Sequence, residues 1–146
     1  MNRKGALYQE WGRVLDQVQQ IREDGTLDDH QQGLARLARY PINWQLRQAG
    51  LRAIAELQRS IDEVIRVAAQ IMIDEKNDLE TRILAGGAVS RVLSNGNGTI
   101  SESARSKAAE SVRDLLANTQ PPILHRFARR LQESLAAPAG AATTTQ

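Results

Sequence analysis

Cysteine is absent from this chain of 146 residues, and aromatic residues make up only 3% of it. The lack of cysteine excludes disulfides, thiolate nucleophiles and zinc–thiolate sites. No apolar run approaches the roughly 20 residues of a membrane-spanning helix, and no apolar signal segment follows the basic N-terminus. With only two histidines, no helical metal motif can be assembled. We therefore expect a cytoplasmic, non-enzymatic protein without a cofactor or a metal site.

Net charge is also small, at +2 for 19 basic and 17 acidic residues. So weak a field gives little long-range steering toward a polyanion. All but three of the basic residues are arginine, a side chain suited to bidentate and stacked contacts at interfaces. The excess of positive charge lies in residues 96–146. Nucleic-acid binding is therefore an alternative function, and protein binding comes first.

What the chain does contain is apolar residues spaced by three and four positions, the pattern of amphipathic helices. No segment alternates with period two, so strands are not expected. The seams of the first two segments consist of Leu7, Trp11, Val14, Val18 and Ile21 and, after a break at residues 24–26, of Leu27, His30, Leu34 and Leu37. We expect these segments to form an N-terminal αα-hairpin. A homodimer through the first seam is an alternative, since the hairpin partner could fill the same seam.

Five more helices are predicted. The third begins after Pro41 and buries a stripe from Ile42 to Leu57, and the seventh follows Pro121 and Pro122 with Phe127 inward. The three helices between them begin at the capping pairs Ser60 and Glu63, Asn77 and Glu80, and Thr99 and Glu102, as Thr26 and Asp29 begin the second. We thus predict an all-α fold of about seven helices.

The domain organisation follows from the breaks and the glycines. Gly86 and Gly87 lie inside the fifth helix, which predicts either close backbone approach by a neighbouring helix, as we favour, or a break in the helix. Residues 95–98, with the sequence Asn-Gly-Asn-Gly, predict a mobile loop. Residues 1–137 are expected to form one domain, and residues 138–146, rich in Ala and Thr, a disordered tail.

An internal repeat connects the third and fifth helices. Arg47, Gly50, Ala53 and Ile54 recur 35 residues later as Arg82, Ala85, Ala88 and Val89. From Ile42 to about Leu93 this pattern resembles the HEAT and armadillo class of helical repeats. The sixth helix matches weakly, through Arg105, Ala108, Val112 and Leu115.

The resemblance implies a right-handed stack of helix pairs that acts as a binding scaffold. In those families an Asp and an Arg often connect adjacent repeats. Here Arg47 and Arg82 supply the Arg, whereas no equally spaced Asp precedes both.

Two groups of polar residues could suggest chemistry. His30 follows Asp28 and Asp29, which could form a metal or acid–base site, but its place on the apolar seam favours a partly buried structural role. The acidic residues Asp74, Glu75, Asp78 and Glu80 lack the glycine and ligand spacing of a calcium loop. A solvated helix junction is the favoured interpretation.

Candidate partner-binding residues are Trp44, Arg47, Arg82, Arg126, Arg129 and Arg130. Trp44 lies off the main stripe of its helix, so it either forms an exposed hot spot beside Arg47 or, as we favour, packs against the second helix. Arg126 shares a helix face with Arg129 or Arg130, where these residues could grip phosphates. The interpretation that we favour is a solvated face with salt links to Glu133 or Asp114. Together these features favour a protein–protein interaction module.

Overall fold

The computed structural model describes the backbone of residues 3–94, 100–118 and 121–136, and the side chains of residues 10–94, 100–118 and 121–133. The α-helices are α1 (Arg3–Asp24), α2 (Gln31–Ala38), α3 (Trp44–Ala55), α4 (Asp62–Ile73), α5 (Leu79–Ser94), α6 (Glu102–Ala117) and α7 (Pro122–Ala136). A 3₁₀ turn, Leu27–His30, precedes α2. No strand occurs in these ranges, so the all-α prediction is confirmed.

Three helix pairs follow one another in chain order. Within the pairs, α2 packs on α3, α4 on α5 and α6 on α7. Between pairs, α2, α4 and α6 form one layer and α3, α5 and α7 form the other. The predicted helical stack is thus present. No helix among the described residues is long and apolar enough to span a bilayer. The predicted loop at 95–98 and the predicted tail at 138–146 lie outside the described residues.

The end of α1 explains the break before α2. Gly25 has a φ of 72°, a left-handed conformation that glycine adopts without a Cβ clash. Its N–H donates to the carbonyl of Arg22 and the N–H of Thr26 donates to that of Ile21. These two bonds satisfy the last carbonyls of α1 in a Schellman motif, so the helix ends where the sequence predicts.

Several helix starts differ from the predicted ones. Ser60 does not cap α4, because that helix begins at Asp62 after Ile61, and no side chain caps it. Thr26 likewise makes no capping bond. Asp78 rather than Asn77 accepts from a backbone N–H in the first turn of α5, and the Ser101 hydroxyl accepts from the Ala104 N–H at the start of α6. The capping pattern therefore predicted the region in which each of these helices begins but not the residue that caps it.

The 35-residue repeat corresponds to equivalent contacts in α3 and α5. Asn43 accepts from the N–H of Leu46, and Asp78 accepts from the N–H of Thr81. One residue further on, Arg47 and Arg82 both donate to backbone carbonyls that precede their own helix. The repeated unit is therefore a helix start: a capping Asn or Asp followed by an arginine that bonds backward.

The third helix of this layer is α7. The weak match to the repeat that the sequence shows in α6 therefore falls in the other layer. Leu124, Ala128 and Leu131 are buried, and they lie 43 residues after Thr81, Ala85 and Ala88. By the same offset, His125 takes the position of Arg82. The repeat thus extends to α7 in its apolar residues but without the arginine.

Aspartates connect successive helices of the other layer. The Asp28 carboxylate accepts from the N–H groups of Gln58 and Arg59, just before α4. The Asp62 carboxylate accepts from the N–H and the hydroxyl of Ser101, just before α6. Both aspartates thus belong to the layer opposite that of Arg47 and Arg82.

Glycine permits two close helix contacts. A Cβ on Gly50 would lie 2.7 Å from the Ala38 nitrogen and 3.0 Å from the Leu34 oxygen, both backbone atoms of α2. A Cβ on Gly86 would lie 2.5 Å from the Phe127 ring of α7, whereas one on Gly87 would meet nothing within 4 Å. A neighbouring helix thus comes close at Gly86, through the Phe127 side chain and not through its backbone as predicted, and nothing comes close at Gly87.

Candidate interaction surfaces

Exposed hydrophobic side chains are concentrated at the turn between α2 and α3. Ile42 is 71% exposed and Trp44 is 55% exposed, beside an exposed Pro41. The prediction that Ile42 lies in the core was wrong, because Asn43 caps α3 and leaves Ile42 outside the helix. The preferred prediction for Trp44, packing against α2, was also wrong. We call Pro41, Ile42 and Trp44 the turn patch.

Arg47 holds the backbone of the turn patch in place through hydrogen bonds. Its Nη1 donates to the carbonyls of Tyr40 at 2.9 Å and Pro41 at 3.2 Å, so the guanidinium fixes the backbone that carries the patch. Its Nε atom is buried and has no hydrogen-bond partner. Arg47 was predicted to contact a partner, but the structure gives its side chain an intramolecular role.

A second support for the patch comes from α1. Trp11 Nε1 donates to the Tyr40 hydroxyl at 3.3 Å, and the two rings meet edge to face with centroids 6.5 Å apart. Tyr40 therefore receives one bond from α1 through its hydroxyl and another from α3 through its carbonyl. The sequence could not predict this contact, because no sequence pattern links two aromatic residues that are 29 positions apart.

Arg82 is not a surface residue. It is 5% exposed, and its Nε donates to the carbonyl of Met72 at 3.0 Å, near the end of α4. The prediction that Arg82 binds a partner was therefore wrong, because a buried side chain cannot contact a partner. Nearby, Gln48 donates to the Thr81 hydroxyl, which donates to Asp78.

A second candidate surface is the cationic face of α7, formed by Arg126, Arg129 and Arg130. All three are exposed. Within the described part of the chain none of them makes an ion pair or a side-chain hydrogen bond, so the expected links to Glu133 and Asp114 are absent. Phe127 points toward the core, as predicted.

The acidic and histidine residues singled out in the sequence lie in ordinary structural surroundings. His30 is exposed rather than partly buried, and Asp28 is engaged with backbone amides. Asp78 accepts from the Thr81 hydroxyl, which lowers the pKa of that carboxyl, with a smaller contribution from the positive charge of Arg47. Among the described residues, no group of three or more His, Asp or Glu side chains could hold a metal ion.

An open apolar groove separates α1 from α2. Although the two helices carry the predicted hairpin seams, α1 packs mainly on α3. The groove has a volume of about 460 Å³. Its walls are Val14, Gln17, Val18, Gln20 and Ile21 from α1, and His30, Gly33, Leu34 and Leu37 from the second segment.

No family model, curated protein or solved structure matches this chain. The resemblance to HEAT and armadillo repeats therefore stays a prediction.

Proposed function

We propose that this protein is a non-enzymatic protein–protein interaction module whose helical stack presents the turn patch to a partner. The observation that carries the proposal is the exposure of Ile42 and Trp44 side by side. Tryptophan is enriched among the residues that dominate binding energy, because it removes a large apolar area from water. A cytoplasmic location belongs to the same proposal and is tested by fractionation of the native host.

Rigidity of the turn supports this proposal. Asn43 fixes the start of α3, Arg47 holds two carbonyls of the turn, and Tyr40 contacts Trp11. A surface held in one conformation loses less conformational entropy when a partner binds. Arg47 therefore acts as a positioning residue beneath the patch, while Trp44 and Ile42 make the contacts.

The test compares two exposed hydrophobic sites. A tagged chain carrying Ile42→Ser and Trp44→Ala is used for quantitative affinity enrichment from the native host, beside the wild type and an Ile123→Ser control. Ile123 is also exposed, at 52%, but lies on α7. We expect the double variant to lose a partner that the control keeps, with circular dichroism unchanged in both. Identical partner sets for all three proteins would contradict the proposal.

A second candidate function, nucleic-acid binding, is favoured by the unpaired arginines of α7. An arginine without an internal carboxylate partner is free to neutralise a phosphate, and each such contact adds to the salt dependence of binding. The measurement is fluorescence anisotropy with labelled single-stranded RNA and duplex DNA over a salt series.

The decisive variant reverses the charge of Arg126, Arg129 and Arg130 to Glu. Its matched control makes the same change at Arg59, Arg91 and Arg113, which are also exposed. Loss of binding in the first variant alone, with a salt slope reduced by about one per contact, would support the function. No binding by the wild type at low salt would exclude it.

A further inference from the structure

We infer that the groove between α1 and α2 receives α1 of a second copy of this chain, in antiparallel orientation. The groove is bordered by apolar side chains from both helices, including Val14 and Ile21 on one wall and Leu37 on the other. Gly33 lies on the second wall, where a Cβ would meet only the end of the Arg36 side chain at 3.8 Å. A wall without a side chain at that position allows a helix to approach closely.

The lengths of the two helices argue for an occupant from outside the stack. α1 has 22 residues and α2 has only eight, so α1 extends for about 33 Å against about 12 Å. The short helix cannot cover the apolar seam of the long one, and α3, on which α1 mainly packs, leaves part of that seam uncovered. Val14, which is half-buried, is not part of the hydrophobic core.

The charge distribution along α1 selects the occupant and its direction. The helix begins with Arg3 and Lys4 and ends with Glu23 and Asp24. Both terminal carboxylates are exposed, and neither forms an ion pair with any residue described in the structure. Two copies packed in antiparallel orientation place the basic end of each α1 against the acidic end of the other. Parallel packing would place like charges together.

Antiparallel packing also satisfies the symmetry of a two-fold dimer, in which both copies use the same surface. When the two helices cross at Val14, Lys4 of one copy is opposite Asp24 of the other. Each α1 then fills the groove of the other copy, and the two apolar seams are removed from water together. This surface is separate from the turn patch, so its occupancy does not depend on the proposed function.

The first test is the mass of the full chain in solution by light scattering and sedimentation velocity over a range of concentrations. We expect a concentration-dependent dimer of twice the chain mass of 16.1 kDa. Val14→Lys should weaken dimerisation by more than about tenfold. Asp16→Asn changes the charge of the same helix by the same amount at an exposed position outside the groove, and it should leave the dimer intact. A wild type that stays monomeric, or a dimer that survives Val14→Lys, would overturn the inference.

The second test addresses direction by exchanging charges. Arg3→Glu with Lys4→Glu, and separately Glu23→Lys with Asp24→Lys, should each weaken the dimer. The chain carrying all four changes should recover it, because its opposed ends are again of opposite charge. Circular dichroism on every variant confirms that the helices persist. Failure of the four-fold variant to regain the dimer would exclude the antiparallel arrangement.

Discussion

The basic side chain near the start of the helix is used in opposite ways in α3 and α5 on the one hand and in α7 on the other. At the start of α3 and α5, Arg47 and Arg82 turn inward and bond to backbone carbonyls. In α7, His125 stands at the equivalent position, and the arginines around it are exposed. The comparison separates arginines that build the stack from arginines that are free to bind.

The two close helix contacts at glycine differ as well. α2 and α3 meet through backbone atoms at Gly50, whereas α5 and α7 meet through the Phe127 ring at Gly86. Backbone atoms inside two packed helices cannot move apart without disturbing both helices, whereas an aromatic ring can change its position. We therefore expect the contact between α5 and α7 to tolerate substitution at its glycine better than the contact between α2 and α3 does.

The largest expected effect separates Arg82 from Arg126. Arg82→Glu places a carboxylate among buried groups near the Met72 carbonyl and should cost about 3–5 kcal/mol of unfolding free energy, enough to unfold a marginal domain. Arg126→Glu, at an exposed position, should change it by no more than about 0.5 kcal/mol. Urea denaturation followed by circular dichroism measures both. Equal midpoints for the two variants would remove the distinction between structural and free arginines.

The next largest effect concerns the contact between α2 and α3. Gly50→Ala must displace backbone atoms of Leu34 and Ala38, so we expect a loss of about 1–3 kcal/mol or more. Thermal unfolding provides the measurement. An unchanged melting temperature would mean that the contact between α2 and α3 is no tighter than the contact between α5 and α7.

Gly86 and Gly87 provide a matched pair of smaller effects. Gly86→Ala forces the Phe127 ring to move and should destabilise the protein, but less than Gly50→Ala does. The double variant with Phe127→Leu should cost less than the two single changes added together. Gly87→Ala meets no atom and should stabilise α5 by about 0.5–1 kcal/mol, because alanine is the better helix former. If Gly86→Ala and Gly87→Ala shift the denaturation midpoint in the same direction, the contact between α5 and α7 does not determine the effect of a substitution at Gly86.

Particular residues show how far the sequence could predict this arrangement. The helical spacing of apolar residues predicts the stack, and the glycines of α5 predict close approach by a neighbouring helix, because both depend on patterns local to one helix. Neither the identity of that helix, α7, nor the restriction of the contact to Gly86 could be predicted in this way. The burial of Arg82 could not be predicted, since the carbonyl that accepts its bond belongs to Met72 on another helix. Ile42 was assigned to the core because its spacing continues the stripe of α3, although the Asn43 cap starts the helix after it. Whether such residues are buried or exposed depends on their tertiary partners and on the position of the helix cap.

The smallest expected effect probes the contact between the second and third pairs in acid. The Ser101 hydroxyl and N–H donate to Asp62, which lowers the pKa of that carboxyl below 3.8. A lowered pKa in the folded state stabilises the fold at pH values above 3.8, and this contribution is lost as the pH falls through the lower folded value. Ser101→Ala should raise the pKa of Asp62 toward its ordinary value and flatten the acid side of the stability curve.

Carbon-13 NMR titration of the Asp62 carboxyl measures that shift directly. Ser101→Thr keeps the hydroxyl and should retain the low pKa. Asp78 serves as an internal control, because its pKa is lowered mainly by Thr81 in α5 and should not respond to the change at residue 101. A titration of Asp62 that is identical in the wild type and in Ser101→Ala would show that the hydroxyl does not hold α4 to α6. The third pair would then be attached to the second through apolar contacts with α4 and α5. The first and second pairs, in contrast, are connected by Asp28, which accepts from two backbone N–H groups.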